Sequence, residues 1–260
     1  MKNRRIVWIL GVLTLALGLL VAGCGTSADN SKVLKVGTDA TYAPFGFKDQ
    51  QTGDLAGFDI DIIKAIAKEE GLKVEVQNLN FDALLPALQT NTLDVAISDM
   101  TISEERAKQV DFSNSYYIAG SGLVVNLDNT DIKAFSDLPG KRIGVSIGST
   151  GSEIASKIPN AQIREFNNIV DAFLELQNGG VDVVINDTPV NEYYVNTKGK
   201  GIDKVVGEDY EEAAPLGMAV KKGNTEVLKK SNDGLGKIKA NGEDAKIYKK
   251  WFDKEPPTEK

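Results

Sequence analysis

The 260-residue chain contains no histidine. That excludes Ser-His-Asp and Cys-His nucleophilic catalysis and every histidine-based zinc site. It contains one cysteine, Cys24, so a monomer can hold neither an internal disulfide nor a thiolate metal cluster. No G-x-x-x-x-G-K-[ST] run is present, which excludes a nucleotide P-loop. Basic charge is scarce as well. The formal net charge is −7, and it becomes −10 without residues 1–23, which carry Lys2, Arg4 and Arg5 and no acid. A nucleic-acid partner needs a basic footprint, so none is expected, and no metal or cofactor is expected either. Low-complexity sequence is absent. What is present is enough apolar material for a core, at 42%, in a length that suits one large or two ordinary domains.

The first residues stand apart. A basic start is followed by Ile6 to Leu20, apolar except for Thr14 and two glycines, and then by Val21-Ala22-Gly23-Cys24. This is the layout of an export signal with small residues at the cut. The cysteine resembles the lipid-accepting cysteine of a bacterial lipobox. The expectation is a signal peptide over 1–23, lipidation of Cys24 and a flexible tether over 24–32, anchoring the protein outside the cytoplasm. The other reading is an uncleaved anchor, although the apolar run is slightly short of the ~20 residues of a full span.

The chain repeats itself once. Leu88 to Asp99, LQTNTLDVAISD, meets Leu176 to Asp187, LQNGGVDVVIND, at a shift of 88 residues, with six of twelve positions identical. Ahead of each copy the apolar residues fall at i, i+3, i+4 and i+7: Phe81, Leu84, Leu85 and Leu88, then Ile169, Ala172, Phe173 and Leu176. Each copy therefore predicts an amphipathic helix, a tight turn and a short buried strand ending on an aspartate. Two such units predict two α/β lobes, each with a carboxylate at the carboxyl end of a strand, where open α/β sheets bind ligands. Chance similarity of two ordinary units is the alternative.

Other charges fall at strand ends. Asp39 follows the predicted strand Val33 to Thr38. Ser103 is placed to cap a short helix in which Glu104 and Glu105 suit the dipole and Arg106 does not. Arg106 either leans back toward the strand end carrying Ser98 and Asp99 or pairs with Glu105 or Asp111 on the surface. Gly148-Ser149-Thr150-Gly151 either presents N–H groups to an anion at a helix start or is a plain turn. A free amino acid carries a carboxylate, which suits the arginine fork, and an ammonium, which suits an aspartate.

The segments Gly37 to Phe45 (GTDATYAPF), Gly57 to Asp61 (GFDID), Thr101 to Arg106 (TISEER) and Asn186 to Pro189 (NDTP) together resemble family 3 of the bacterial extracellular solute-binding proteins. These are amino-acid receptors of ABC importers, such as the glutamine-binding and lysine/arginine/ornithine-binding proteins. The resemblance spans Val33 to Phe252. It implies a type II periplasmic-binding fold with two hinge crossings. The expected lobes are residues 33–122 with 219–260, and residues 123–218, with crossings near Leu123 and Met218. It implies that Arg106 grips the α-carboxylate, helped by Thr101 and Thr150. Asp187 takes the α-ammonium, with acceptors at Ser98. Tyr42 and Phe81 sandwich the side chain, and Asp39 reaches its far end. Asp59 is expected to cap a helix. Asp99 stands where relatives often carry glycine or serine, and Ser146 where the glutamine-binding relative has lysine. Two acids without a nearby base favour a cationic ligand, arginine ahead of lysine. Glutamine is the alternative, and a dehydratase-like cleft enzyme is the rival from another class. The expected partners are an ABC permease and the lipid anchor, with a monomeric receptor.

Overall fold

The computed structural model describes residues 33–210 and 213–257. The expected signal peptide, tether and Cys24 lie outside the described residues.

The molecule is two-lobed, and its two five-stranded sheets have the same design. In the first, Lys73–Asn78, Val33–Thr38 and Val95–Ala96 run parallel, and Ala219–Lys221 and Val110–Phe112 complete it in antiparallel fashion. In the second, Gln162–Phe166, Arg142–Ser146 and Val183–Asp187 run parallel, followed by Ser121–Asn126 and Asp203–Val206. The register repeats too. Val36 faces Val95 and Gly37 faces Ala96, as Ile143 faces Val183 and Gly144 faces Val184.

The predicted repeat helices form as Phe81–Gln89 and Ile169–Gln177. Each buries the apolar stripe read from the sequence, except that Leu85 is only half-buried. Gly37 is required where the first helix meets its sheet, because a Cβ there would collide with the Leu93 and Leu84 side chains. Phe58–Glu69 buries Phe58, Ile62, Ile63 and Ile66 on the opposite face of the first sheet. Each such side chain contributes roughly 1.5–3 kcal/mol. Its first turn corrects an expectation. Gly57, at φ 137°, occupies the cap position, and no side chain caps the helix. Asp59 is instead turned inward and wholly buried.

The chain crosses between the lobes in a two-stranded ribbon, Tyr117–Ala119 against Ala214–Leu216. Leu123 lies beyond that ribbon, paired with Ile185 in the second sheet. Met218 lies beyond it on the other side, its N–H donating to Ser113 Oγ at 2.9 Å. The apolar run from Leu216 to Val220 is thus divided between ribbon and sheet. The C-terminal segment forms two helices, Thr225–Ala240 and Glu243–Phe252, parted by Gly242 at φ 74°. Phe252 packs on Phe45, Phe58 and Tyr117, which accounts for its place at the end of the chain.

Candidate functional site

The carboxyl ends of the parallel strands in the two lobes converge on one crevice. Asp39 follows one strand and Asp99 follows another, while Ser146 and Asp187 end two strands of the second sheet. Phe81 and Thr150 open their helices, and Arg106 sits in the four-residue helix Glu104–Ala107. Ser103 caps that helix as expected, accepting the Arg106 N–H at 3.3 Å.

Arg106 is not a surface arginine; it is 5% exposed. Its Nη1 donates to the Thr101 carbonyl at 3.0 Å, and its Nη2 reaches across to the Gly148 carbonyl at 3.1 Å. The guanidinium lies 5.2 Å from the Phe81 ring centre. Such stacking uses the face of the guanidinium, so the in-plane donors that the two carbonyls do not take are left for a carboxylate. Two further contacts join the lobes. Thr150 Oγ1 donates to Thr101 Oγ1 at 3.0 Å, and the Tyr42 hydroxyl donates to Asn186 Oδ1. A small cavity of about 130 Å³ opens here, lined in part by Thr101, Ser121, Thr150, Glu153 and Asp187. A larger groove of about 610 Å³ lies elsewhere, between Phe47 and the Phe173, Tyr193 and Tyr194 rings. Its lining is mostly apolar, with Lys48 and Lys198 at its edge and no carboxylate.

The acids outnumber the base. Asp39, Asp99 and Asp187 are all buried, and Arg106 is the one buried base among the described residues. Asp39 Oδ1 accepts from the Thr41 N–H and hydroxyl at 3.0 and 2.8 Å. Its Oδ2 and both Asp99 oxygens are buried without a partner of hydrogen-bond geometry. Ser121 Oγ donates to Asp187 Oδ1 at 3.4 Å. Burial disfavours the charged form of each acid. It raises Asp39, against the Thr41 hydrogen bonds. It raises Asp187 to about 6, against the pull of Arg106. Asp99 is pushed well above the carboxylate range, by burial first and then by the charges of Asp187 and Asp59. Arg106 is lowered by its own desolvation, which Glu153 and Asp187 oppose.

The ten residues singled out in the sequence are in different states. Tyr42, Phe81, Thr101, Arg106, Thr150 and Asp187 contribute side chains to it. Ser98 is a brace within its own lobe, its hydroxyl accepting the Asp39 N–H at 2.9 Å. The Ser146 hydroxyl is buried without a partner. The Gly148 loop presents its carbonyl to Arg106. Sequence reasoning missed Asn186, Ser121 and Asp59. Asn186 and Asp59 could have been found, since both lie within quoted motifs; nothing local marks Ser121.

The model of the bacterial extracellular solute-binding proteins, family 3, matches residues 34–254. A probable histidine-binding protein of Neisseria gonorrhoeae is 34% identical over 261 residues, which is 95% of this chain and 96% of that one. The ABC transporter arginine-binding protein 1 of Escherichia coli is 36% identical over 242 residues, covering 92% and 98%. Among solved structures, an ancestral arginine-binding protein bound to arginine superimposes with a TM-score of 0.80 at 47% identity, covering 85% of this chain and 98% of that one. An ancestral arginine-binding protein bound to glutamine gives 0.79 at 46%, with the same coverage.

Proposed function

Because the chain belongs to family 3 of the bacterial extracellular solute-binding proteins, we propose that it captures a free basic amino acid, arginine ahead of lysine, for an ABC importer. Arg106 binds the α-carboxylate, with the Thr101 and Thr150 hydroxyls beside it. Asp187 takes the α-ammonium. Tyr42 and Phe81 flank the aliphatic stem, and Asp39 and Asp99 meet the guanidinium, with Ser146 at the pocket wall. The lobes bend at the ribbon Tyr117–Ala119/Ala214–Leu216, and a ligand that touches both stabilises the closed arrangement by its differential contacts. The receptor works without covalent chemistry, as a monomer held by lipid on Cys24, and delivers to a membrane permease.

One observation carries the choice of a cation. Asp39, Asp99 and Asp187 are all buried with one buried base, Arg106; Asp39 Oδ2 has no partner of hydrogen-bond geometry, and the Asp99 carboxyl lies against Asp187. A zwitterion's own two charges match Arg106 and Asp187, which leaves two carboxyls for a positive side chain. Each charged hydrogen bond contributes roughly 1.5–3 kcal/mol. Glutamine is supported by a different feature. An Asp99 pushed well above the carboxylate range offers an O–H donor to a neutral amide. Calorimetry on unfolded and refolded protein with arginine, lysine, histidine and glutamine decides between them. Arginine is expected to bind tightest, and glutamine binding far more tightly would overturn the cationic reading.

A further inference from the structure

Asp59 has no place in the ligand roles above, yet it is wholly buried and lies directly behind the crevice. Its Oδ2 accepts the Asp99 N–H at 2.8 Å, across 40 residues of sequence. Asp99 is in the left-handed region, at φ 49°, where a side chain other than glycine needs support from its surroundings. Asp59 Oδ1 is buried without a partner of hydrogen-bond geometry, and the equally buried Tyr116 hydroxyl stands beside it. A helix start with a glycine in the cap position has no local need for this carboxylate. Its visible engagement is with the backbone of the strand end that presents Asp99.

We propose that Asp59 is a positioning residue of the site: its bond to the Asp99 N–H holds the turn that sets the Asp99 carboxyl against Asp187, and its charge governs how readily Asp99 accepts a cation. This rests on the basic-amino-acid reading above. The physical reason is electrostatic coupling among buried acids, which cannot all ionise without compensation. Every charged or titratable group that bears on Asp99 is in place: Asp187 from the second lobe, Asp59 from its helix, Arg106, and the Tyr42, Tyr116 and Tyr117 hydroxyls. Burial raises Asp59 itself to about 7, so its charge changes within the working range of the site.

The test compares the unmodified protein with Asp59→Asn, which keeps an acceptor oxygen and removes the charge, and Asp59→Ala, which removes both. Carboxyl carbons of aspartate are followed by NMR from pH 4 to 9 without ligand, with Asp99→Gly identifying the Asp99 signal. In Asp59→Asn the Asp99 midpoint is expected to fall by about one pH unit, and arginine affinity at pH 6 to rise severalfold. In Asp59→Ala the preference for arginine over glutamine is expected to shrink at least about tenfold. An unmoved Asp99 midpoint in Asp59→Asn would overturn the proposal. In the unmodified protein the Asp99 signal must also show a step at the Asp59 midpoint, and its absence would overturn the proposal even if neither variant folds. These titrations need no ligand, so a site that prefers glutamine sinks the basic-amino-acid reading while leaving the coupling to be judged separately.

Discussion

In both copies of the helix–strand unit, the aspartate just before the strand clasps a residue of the neighbouring strand, the third one, Lys35, in the first lobe and the first one, Arg142, in the second. Asp94 N–H donates to the Lys35 carbonyl at 2.8 Å while its Oδ2 accepts the Lys35 N–H at 2.9 Å. Asp182 and Arg142 exchange the same two bonds, both at 2.8 Å. Five residues on, the copies part. Asp187 has φ −65° and runs straight into the helix Thr188–Asn196. Asp99 has φ 49° and turns the chain toward Thr101 and the short helix bearing Arg106. The positions that match by the clasp differ as well: Asp39 in the first lobe corresponds to Ser146 in the second. The shared residues thus build the sheets, and the unshared ones divide the labour, with the arginine and the additional acid supplied by one lobe only.

The comparison can be broken most forcefully at the charges that face each other across the lobes. Arg106→Ala and Asp187→Ala are each expected to weaken amino-acid binding at least about a hundredfold, or about 2.7 kcal/mol, in a folded protein. Retained affinity in either, measured by calorimetry, would mean that the lobes do not share one ligand. Asp99→Gly should act on one ligand class only. Glycine accepts the left-handed backbone without penalty, so the fold is kept, arginine affinity falls about tenfold or more, and glutamine affinity changes little. Equal losses for both ligands would place Asp99 outside the side-chain pocket.

The clasps test the shared framework. Asp182→Ala and Asp94→Ala are expected to cost about 1–3 kcal/mol of stability by denaturant unfolding. Asp182→Ala should cost more, because the Arg142 N–H is part-buried and the Lys35 N–H is exposed to water. Neither should alter ligand preference.

The smallest effect is in pH. In the folded chain burial pushes Asp187 up, against the pull of Arg106, and raises Asp59 from the ordinary 3.8 to about 7. The folded state therefore binds more protons than the unfolded state between those values, and ligand-free stability falls as pH rises from about 4 to 7. A cation prefers the ionised acids, so arginine affinity should climb over the same interval. A flat thermal-unfolding profile, or arginine affinity that falls with rising pH, would contradict this assignment of charge.

Much of this was readable before any coordinates. The repeat spacing announced two lobes, and the wrong-sign charge in a first turn singled out Arg106. Asp187 stood out as the second ending of one phrase. Asp59 was misread because the same residue near a helix start serves equally well as a surface cap or as an inward acid. The Ser98 hydroxyl braces Asp39 from 59 residues away. Ser121 reaches Asp187 from 66 residues away, and no local pattern encodes such a meeting.

The order of helices and strands, the faces they bury and the placing of charge at strand ends follow from the sequence by itself. Apolar periodicity and backbone chemistry act within a few residues and leave little choice. Which acid is bare, which is braced, and what Arg106 touches were decided only when distant strand ends were brought together. Desolvation and hydrogen-bond partnership belong to that assembled interior and to no residue alone.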